Sequence, residues 1–165
     1  MVSFYLKRTE ELSSSELHDI FALRAEVFVV EQECVYQDID GKDIDALHVY
    51  GKNKKEIVAY ARILQTGVSY SDYISIGRLL VKKKDRGKDI GHELLSFCLH
   101  SIEKKNLKDS IKISAQSHLE KFYNRHGFKK YGEGYLEDGI PHIAMIKKII
   151  NPPLFWTTLS SDWVV

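Results

Sequence analysis

Apolar and polar positions recur in different rhythms along the chain, and each rhythm predicts an element. Residues 2–8, VSFYLKR, read as a short strand. In residues 13–32, SSSELHDIFALRAEVFVVEQ, serines precede Glu16, and Leu17, Ile20, Phe21, Ala25 and Phe28 recur at helical spacing. A serine cap with a glutamate just beyond starts an amphipathic helix, here of about five turns. Residues 33–46, ECVYQDIDGKDIDA, are polar and acidic and predict an ordered loop. Residues 47–65 hold two strands around a Gly-Lys-Asn-Lys turn at 51–54, a hairpin. Residues 73–82, YISIGRLLVK, are a further strand. Residues 87–104 form a helix with Ile90, Leu94, Phe97, Cys98 and Ile102 inward. A strand at 110–116 leads into a short helix at 117–127, opened by Ser117 and stopped by Gly127. Residues 128–135 and 140–150 are the last strands.

Strand, helix, three strands of antiparallel type, helix, strand, helix and two strands make an α/β domain of mixed order over residues 1–150. Residues 151–165, NPPLFWTTLSSDWVV, open on a double proline that stops the preceding strand. This apolar tail, with Trp156 and Trp163, is expected to fold back on the domain or to touch a partner subunit, as in a homodimer.

Composition narrows the function. A chain of 165 residues fits one domain, and 44% hydrophobic with 28% charged residues is the balance of a soluble globular protein. The net charge of +1 gives no global attraction to nucleic acid, so an anion site must come from local clustering. Cys34 and Cys98 make neither a disulfide framework nor a metal-like spacing, and no metal is expected. Cys98 lies in an apolar helical stripe and reads as a small core residue. The first residues lack the apolar core and cleavage site of a signal peptide, and no window approaches a membrane span. The expectation is a cytoplasmic protein without nucleic-acid or membrane partners.

The candidate chemistry starts at residues 82–95, KKKDRGKDIGHELL. A strand, a basic turn with Gly87 and Gly91, and a helix start can hold a phosphate, because the first N–H groups of a helix lack intrahelical partners. The bland alternative is a solvated basic turn. Asp89 is the awkward residue, standing where a glycine or a cation would be wanted. The acidic loop offers a second candidate. With Gly41 at the sixth position of a calcium loop, Tyr36 and Leu47 fall at the first and twelfth, and neither supplies the carboxylate needed there. Either Tyr36, Asp38 and Asp40 line a site for a cationic amine, or they form a self-bonded turn.

RGKDIG at 86–91 resembles the pyrophosphate loop of the GNAT superfamily of N-acetyltransferases, with Asp89 in place of the middle glycine. SIGRLLV resembles that family's central strand, and AQSHLEKFYNRHGF resembles its second signature. LRAEVFVVEQECVYQDIDGKD, YARIL and YLEDGIPHIAM are similar to the ElaA-like subfamily. The resemblance covers about residues 20–147 and implies a GNAT-like acyl-CoA N-acyltransferase fold, with a central, mostly antiparallel sheet flanked by helices. It also implies an acetyl-CoA-dependent N-acetyltransferase that acts on a primary amine of a small molecule or peptide by direct transfer.

On that resemblance Leu79, Leu80 and Val81 would bind the pantetheine arm as an added strand does. Arg86, Gly87, Lys88, Asp89, Ile90, Gly91 and His92 would take the pyrophosphate, with Gln116, Phe122 and Tyr123 beside the cofactor. A backbone N–H near Leu80 would polarise the thioester carbonyl. Tyr123 would protonate the departing sulfur, since a phenol with a pKa of about 10 is protonated at neutral pH. The base is open among Glu31, Asp38, Asp40, His48, His142 and a water. His142 is favoured, because histidine titrates nearest neutrality. His92, His100, His118 and His126 are expected at the surface. The acceptor would meet Arg24, Phe28, Gln32, Tyr36, Asp38, Asp40, His48 and Arg78. Arg24 and Glu31, seven apart, would share a helix face and could pair. Two rivals are a CoA-binding module without turnover and an acyltransferase with another donor, on the pattern of acyl-homoserine-lactone synthases.

Overall fold

The computed structural model describes residues 1–105 and 107–149; the apolar tail lies outside the described residues. β1 (Val2–Arg8) is followed by α1 (Ser14–Arg24), then β2 (Leu47–Asn53), β3 (Glu56–Leu64) and β4 (Ile74–Val81). α2 (Ile90–Lys104), β5 (Ile111–Gln116), α3 (Glu120–Asn124), β6 (Lys129–Glu137) and β7 (Ile140–Lys147) complete the order. The seven strands form one sheet in the order β1-β2-β3-β4-β5-β7-β6. All neighbours are antiparallel except β4 and β5. The expected mixed sheet flanked by helices is what the chain forms.

Each face of the sheet has its own core. On one, α2 lays Ile90, Leu94, Leu95, Cys98 and Ile102 against Ala59, Ala61 and Ile63 of β3 and Ile111 and Ile113 of β5. On the other, Ile20, Leu23 and Val27 cover Tyr50, Tyr60 and Leu80. Ser13 caps α1 by accepting the Glu16 N–H at 3.1 Å, while the Glu16 carboxylate accepts the Ser13 N–H, as the serine–glutamate spacing predicts.

Several boundaries depart from the sequence reading. The helix expected over 117–127 is shorter: a 3-10 turn at Ser117–Leu119 precedes α3, which spans Glu120–Asn124, and Ser117 caps neither. The first helix does not run as one α-helix: residues Ala25–Glu31 widen into a π-helical segment. One more residue per turn changes the faces that follow, so Arg24 and Glu31 do not pair. The hairpin turns at Lys54, whose φ is +56°, and not over residues 51–54. Gly51 lies inside β2, where a Cβ would stand 2.8 Å from the Val2 side chain and 2.9 Å from that of Phe4, so those two side chains occupy the space a larger residue would need. The second helix, α2, begins at Ile90 and not at residue 87, because residues 87–89 form the turn itself.

Candidate functional site

β4 and β5 part company soon after they start. Their parallel ladder joins Ile74 to Ile111 and Ser75 to Lys112, and no further pair follows. A bulge between β3 and β4 adds to the split. Arg78 sits in it with a φ of +54°. The bulge also shifts the alternation: Ile76 faces the α2 core before it, and Leu79 and Val81 after it. The strand edge over residues 76–81 is thus turned toward open space. A cavity of about 880 Å³ fills the split. It is lined by Val27 and Phe28 from the α1 side and by Gly91, Phe122 and Tyr123 from the α2 side, so it passes through the sheet.

At one end of the cavity stands the basic turn. Gly87 has a φ of +75° and Asp89 a φ of +59°. The Asp89 side chain caps none of the first N–H groups of α2, which leaves them to an anion. A Cβ on Gly91 would touch Phe122 at 3.6 Å, so the helix start and α3 pack closely here. Arg86 is held by the Val81 carbonyl at 2.8 Å and by both carboxylate oxygens of Glu31. That bond holds the Glu31 pKa below its ordinary value, a poor setting for the base it was expected to provide. Lys88 turns away from the cavity to Asp85 and the Lys84 carbonyl, each at 3.2 Å. His92 is not a solvated surface residue: its Nδ1 lies 2.8 Å from Nε2 of His126, and its ring packs on Phe122 at 4.6 Å.

Tyr123 is 7% exposed and lines the cavity. Its ring stands edge-on to Phe122 and Phe128, and burial raises the phenol pKa. Leu79, Leu80, Val81, Ile90 and Gln116 line the same space, with Gln116 donating to Gln32 at 3.3 Å. His142 is opposite Gln116 in the β5–β7 ladder. Its Nδ1 lies 2.8 Å from the Ile140 carbonyl. A carbonyl only accepts, so Nδ1 carries the proton and Nε2 of the neutral ring is free to accept one.

The acidic loop resolves differently from the acceptor site expected there. Arg24 is fully buried and donates to Asp38 at 2.8 Å and Asp43 at 2.6 Å. Arg62 donates to both oxygens of Asp40 at 2.7 Å and to Asp43 at 3.0 Å. Arg78 donates to Asp38 at 2.6 Å. Arg24 and Asp38 therefore tie the loop to the body and do not line the cavity, while Asp40, Tyr36, Phe28, Gln32 and Arg78 do line it. Burial opposes the Asp40 charge, but the Arg62 hydrogen bonds, the Lys42 N–H and the charges of Arg62 and Arg78 together pull its pKa down. His48 is a core residue, fully buried, bonded to the Tyr60 hydroxyl at 2.8 Å and close to the Asp43 carbonyl at 3.1 Å; it reaches no substrate. The even residues of β5, Lys112, Ser114 and Gln116, also line the cavity. Their alternation with Ile111, Ile113 and Ala115 is the signal that could have found the first two. Arg62, Glu137 and Asp138 carry no such signal.

A profile described as the GNAT acetyltransferase domain matches residues 10–149, and the chain belongs to that family of acyltransferases. Within it, the chain is similar to Protein ElaA of Escherichia coli, at 43% identity over 143 residues, 86% of this chain and 93% of ElaA. The crystal structure of Escherichia coli ElaA matches with a TM-score of 0.84, covering 90% of this chain and 100% of that one. An acyl-CoA N-acyltransferase from Pseudomonas aeruginosa matches with a TM-score of 0.84 at 38% identity, over 89% of this chain and 99% of that one. The AHL synthase LasI shares the fold, with a TM-score of 0.74 at 16% identity over 88% of this chain and 89% of that one. The family and fold expected from the motifs are borne out.

Proposed function

We propose that the chain transfers an acetyl group from acetyl-CoA to a primary amine of a small molecule or peptide, directly and without an acyl-enzyme. The observation that carries this reading is the split between β4 and β5. It presents an unpaired strand edge, the uncapped start of α2 and the Tyr123 phenol to one cavity. An extended pantetheine can hydrogen-bond that edge as an added strand, and its phosphates can meet the N–H groups beyond Gly87. The similarity to an acyl-CoA N-acyltransferase favours a CoA thioester as donor.

In this reading the amine nitrogen forms a bond to the thioester carbon and the carbon–sulfur bond breaks. The N–H near Leu80 steadies the oxygen during attack. Tyr123 gives its proton to the leaving sulfur, and Nε2 of His142, directly or through water, takes one from the amine. Burial suits Tyr123 to this work, because it keeps the phenol protonated. Holding donor and acceptor together in one cavity supplies roughly 7–11 kcal/mol of the barrier reduction at best.

Thermal unfolding with acetyl-CoA, run beside thiol release over a panel of amines, tests the proposal. Acetyl-CoA at about 100 times its Kd stabilises the fold by about 2.7 kcal/mol. Amine-dependent thiol release is then expected. Tight binding with no release from any amine would make the chain a CoA-binding module.

A further inference from the structure

The acceptor half of the cavity is polarised along β5. Lys112 lines it, and its ammonium lies among three tyrosine rings, 4.8 Å from Tyr70 and 5.6 Å from Tyr73 and Tyr131. Lys42 reaches the same corner and donates to Ser69 at 3.2 Å. Among the described residues neither lysine has a carboxylate within 4 Å, whereas Arg24, Arg62 and Arg78 are each held by aspartates. Aromatic faces orient an ammonium but leave its charge uncompensated, and such a cation in a cavity wall recognises an anion. Farther along the strand the sign reverses. Ser114 donates to Glu137 at 2.6 Å, and Glu137 has no cation within 4 Å among the described residues. His142 follows at the level of Gln116.

Resting on the proposed amine acetylation, we infer that the acceptor carries a carboxylate at its far end, received by Lys112 with Lys42, while Glu137 and His142 face its amine. Lys112 and Gln116 stand four positions apart on β5, about 13 Å of strand. Allowing for the reach of the side chains, the carboxylate and the amine stand about 10 Å apart, the span of three extended residues. An α-amino acid is too short. A tripeptide or an ω-amino acid of that length fits.

The test measures kcat/KM with acetyl-CoA for triglycine, triglycine amide and glycine, with 8-aminooctanoate and octylamine as the non-peptide pair. Triglycine is expected to exceed its amide and glycine by about tenfold, the scale of one charge contact. Lys112→Gln removes most of the acid-over-amide preference, and Lys112→Arg keeps it. The faster of triglycine and 8-aminooctanoate identifies the source of the end groups. Equal rates for acid and amide, or a preference that survives Lys112→Gln, overturn the inference. If no amine is acetylated, the proposed function fails, and calorimetry on the CoA-saturated protein still judges the inference. There triglycine binds more tightly than its amide, and Lys112→Gln abolishes the difference; equal binding sinks it.

Discussion

Two residues of the proposed site can be isolated by substitution. Tyr123→Phe keeps the ring that packs on Phe122 and Phe128 and removes only the hydroxyl. Amine-dependent turnover is expected to fall by about 10²-fold or more, the scale of a lost general acid. Calorimetry should find acetyl-CoA binding unchanged, and full turnover in the variant would remove Tyr123 from the mechanism. Asp89 is the residue the family pattern would not choose. Its backbone is left-handed, with a φ of +59°, which costs an L residue roughly 1–2 kcal/mol. Glycine would relieve that cost and return about 0.4–1 kcal/mol through a more flexible unfolded chain. Asp89→Gly is therefore expected to leave stability unchanged or raise it by up to about 1.5 kcal/mol, and to bind CoA at least as tightly. A large loss of affinity would give the carboxylate a role of its own.

Among the elements, the segment after α1 shows how a loop is made rigid. Residues 33–46 have no strand or α-helix, yet Asp38, Asp40 and Asp43 are gripped by Arg24, Arg62 and Arg78. Arg24→Ala would leave Asp38 and Asp43 as buried charges with less compensation. The expected cost is about 3–5 kcal/mol, read from urea unfolding. The alternating strands, the capped start of α1 and the stripe of α2 were legible in the sequence, because each is a local pattern of a few residues. The π-helical widening after Arg24 was not, since the apolar positions fit an ordinary helix as well. Gly51 reads as a turn residue by type. Its pairing with Phe4 and Ala59 makes it a strand residue, and the Val2 and Phe4 side chains fill the space beside it.

For the whole molecule, buried titratable groups set the response to acid. Burial lowers the pKa of His48 below its ordinary value of about 6.5. Below that pH the unfolded chain takes up a proton that the fold refuses, so stability is lost as pH falls. Glu16, bonded by Lys7, and Asp40, bonded by Arg62, also have lowered values. Their contribution is present above the ordinary carboxylate pKa of about 4 and is lost as pH falls toward the folded value. The urea midpoint should therefore decline from pH 7 to about pH 5 and more steeply below about pH 4. His48→Asn should shrink the first part of that decline; an unchanged profile would contradict the cause.

The sequence by itself determined the family, the order of the elements and the loop at residues 86–91, because local periodicity and contiguous motifs survive without coordinates. It also placed Tyr123 and His142 among the residues to watch. Tertiary structure alone decided which charges are free. Arg24, Asp38, Asp40 and His48 look like site residues one at a time, yet three of them are buried among partners brought from distant parts of the chain and Asp40 is held by Arg62 at the cavity wall. Lys112 and Glu137 look ordinary, yet the split of β4 from β5 sets them in one wall of the cavity. Burial and pairing depend on long-range contacts, and no spacing along a chain encodes those directly.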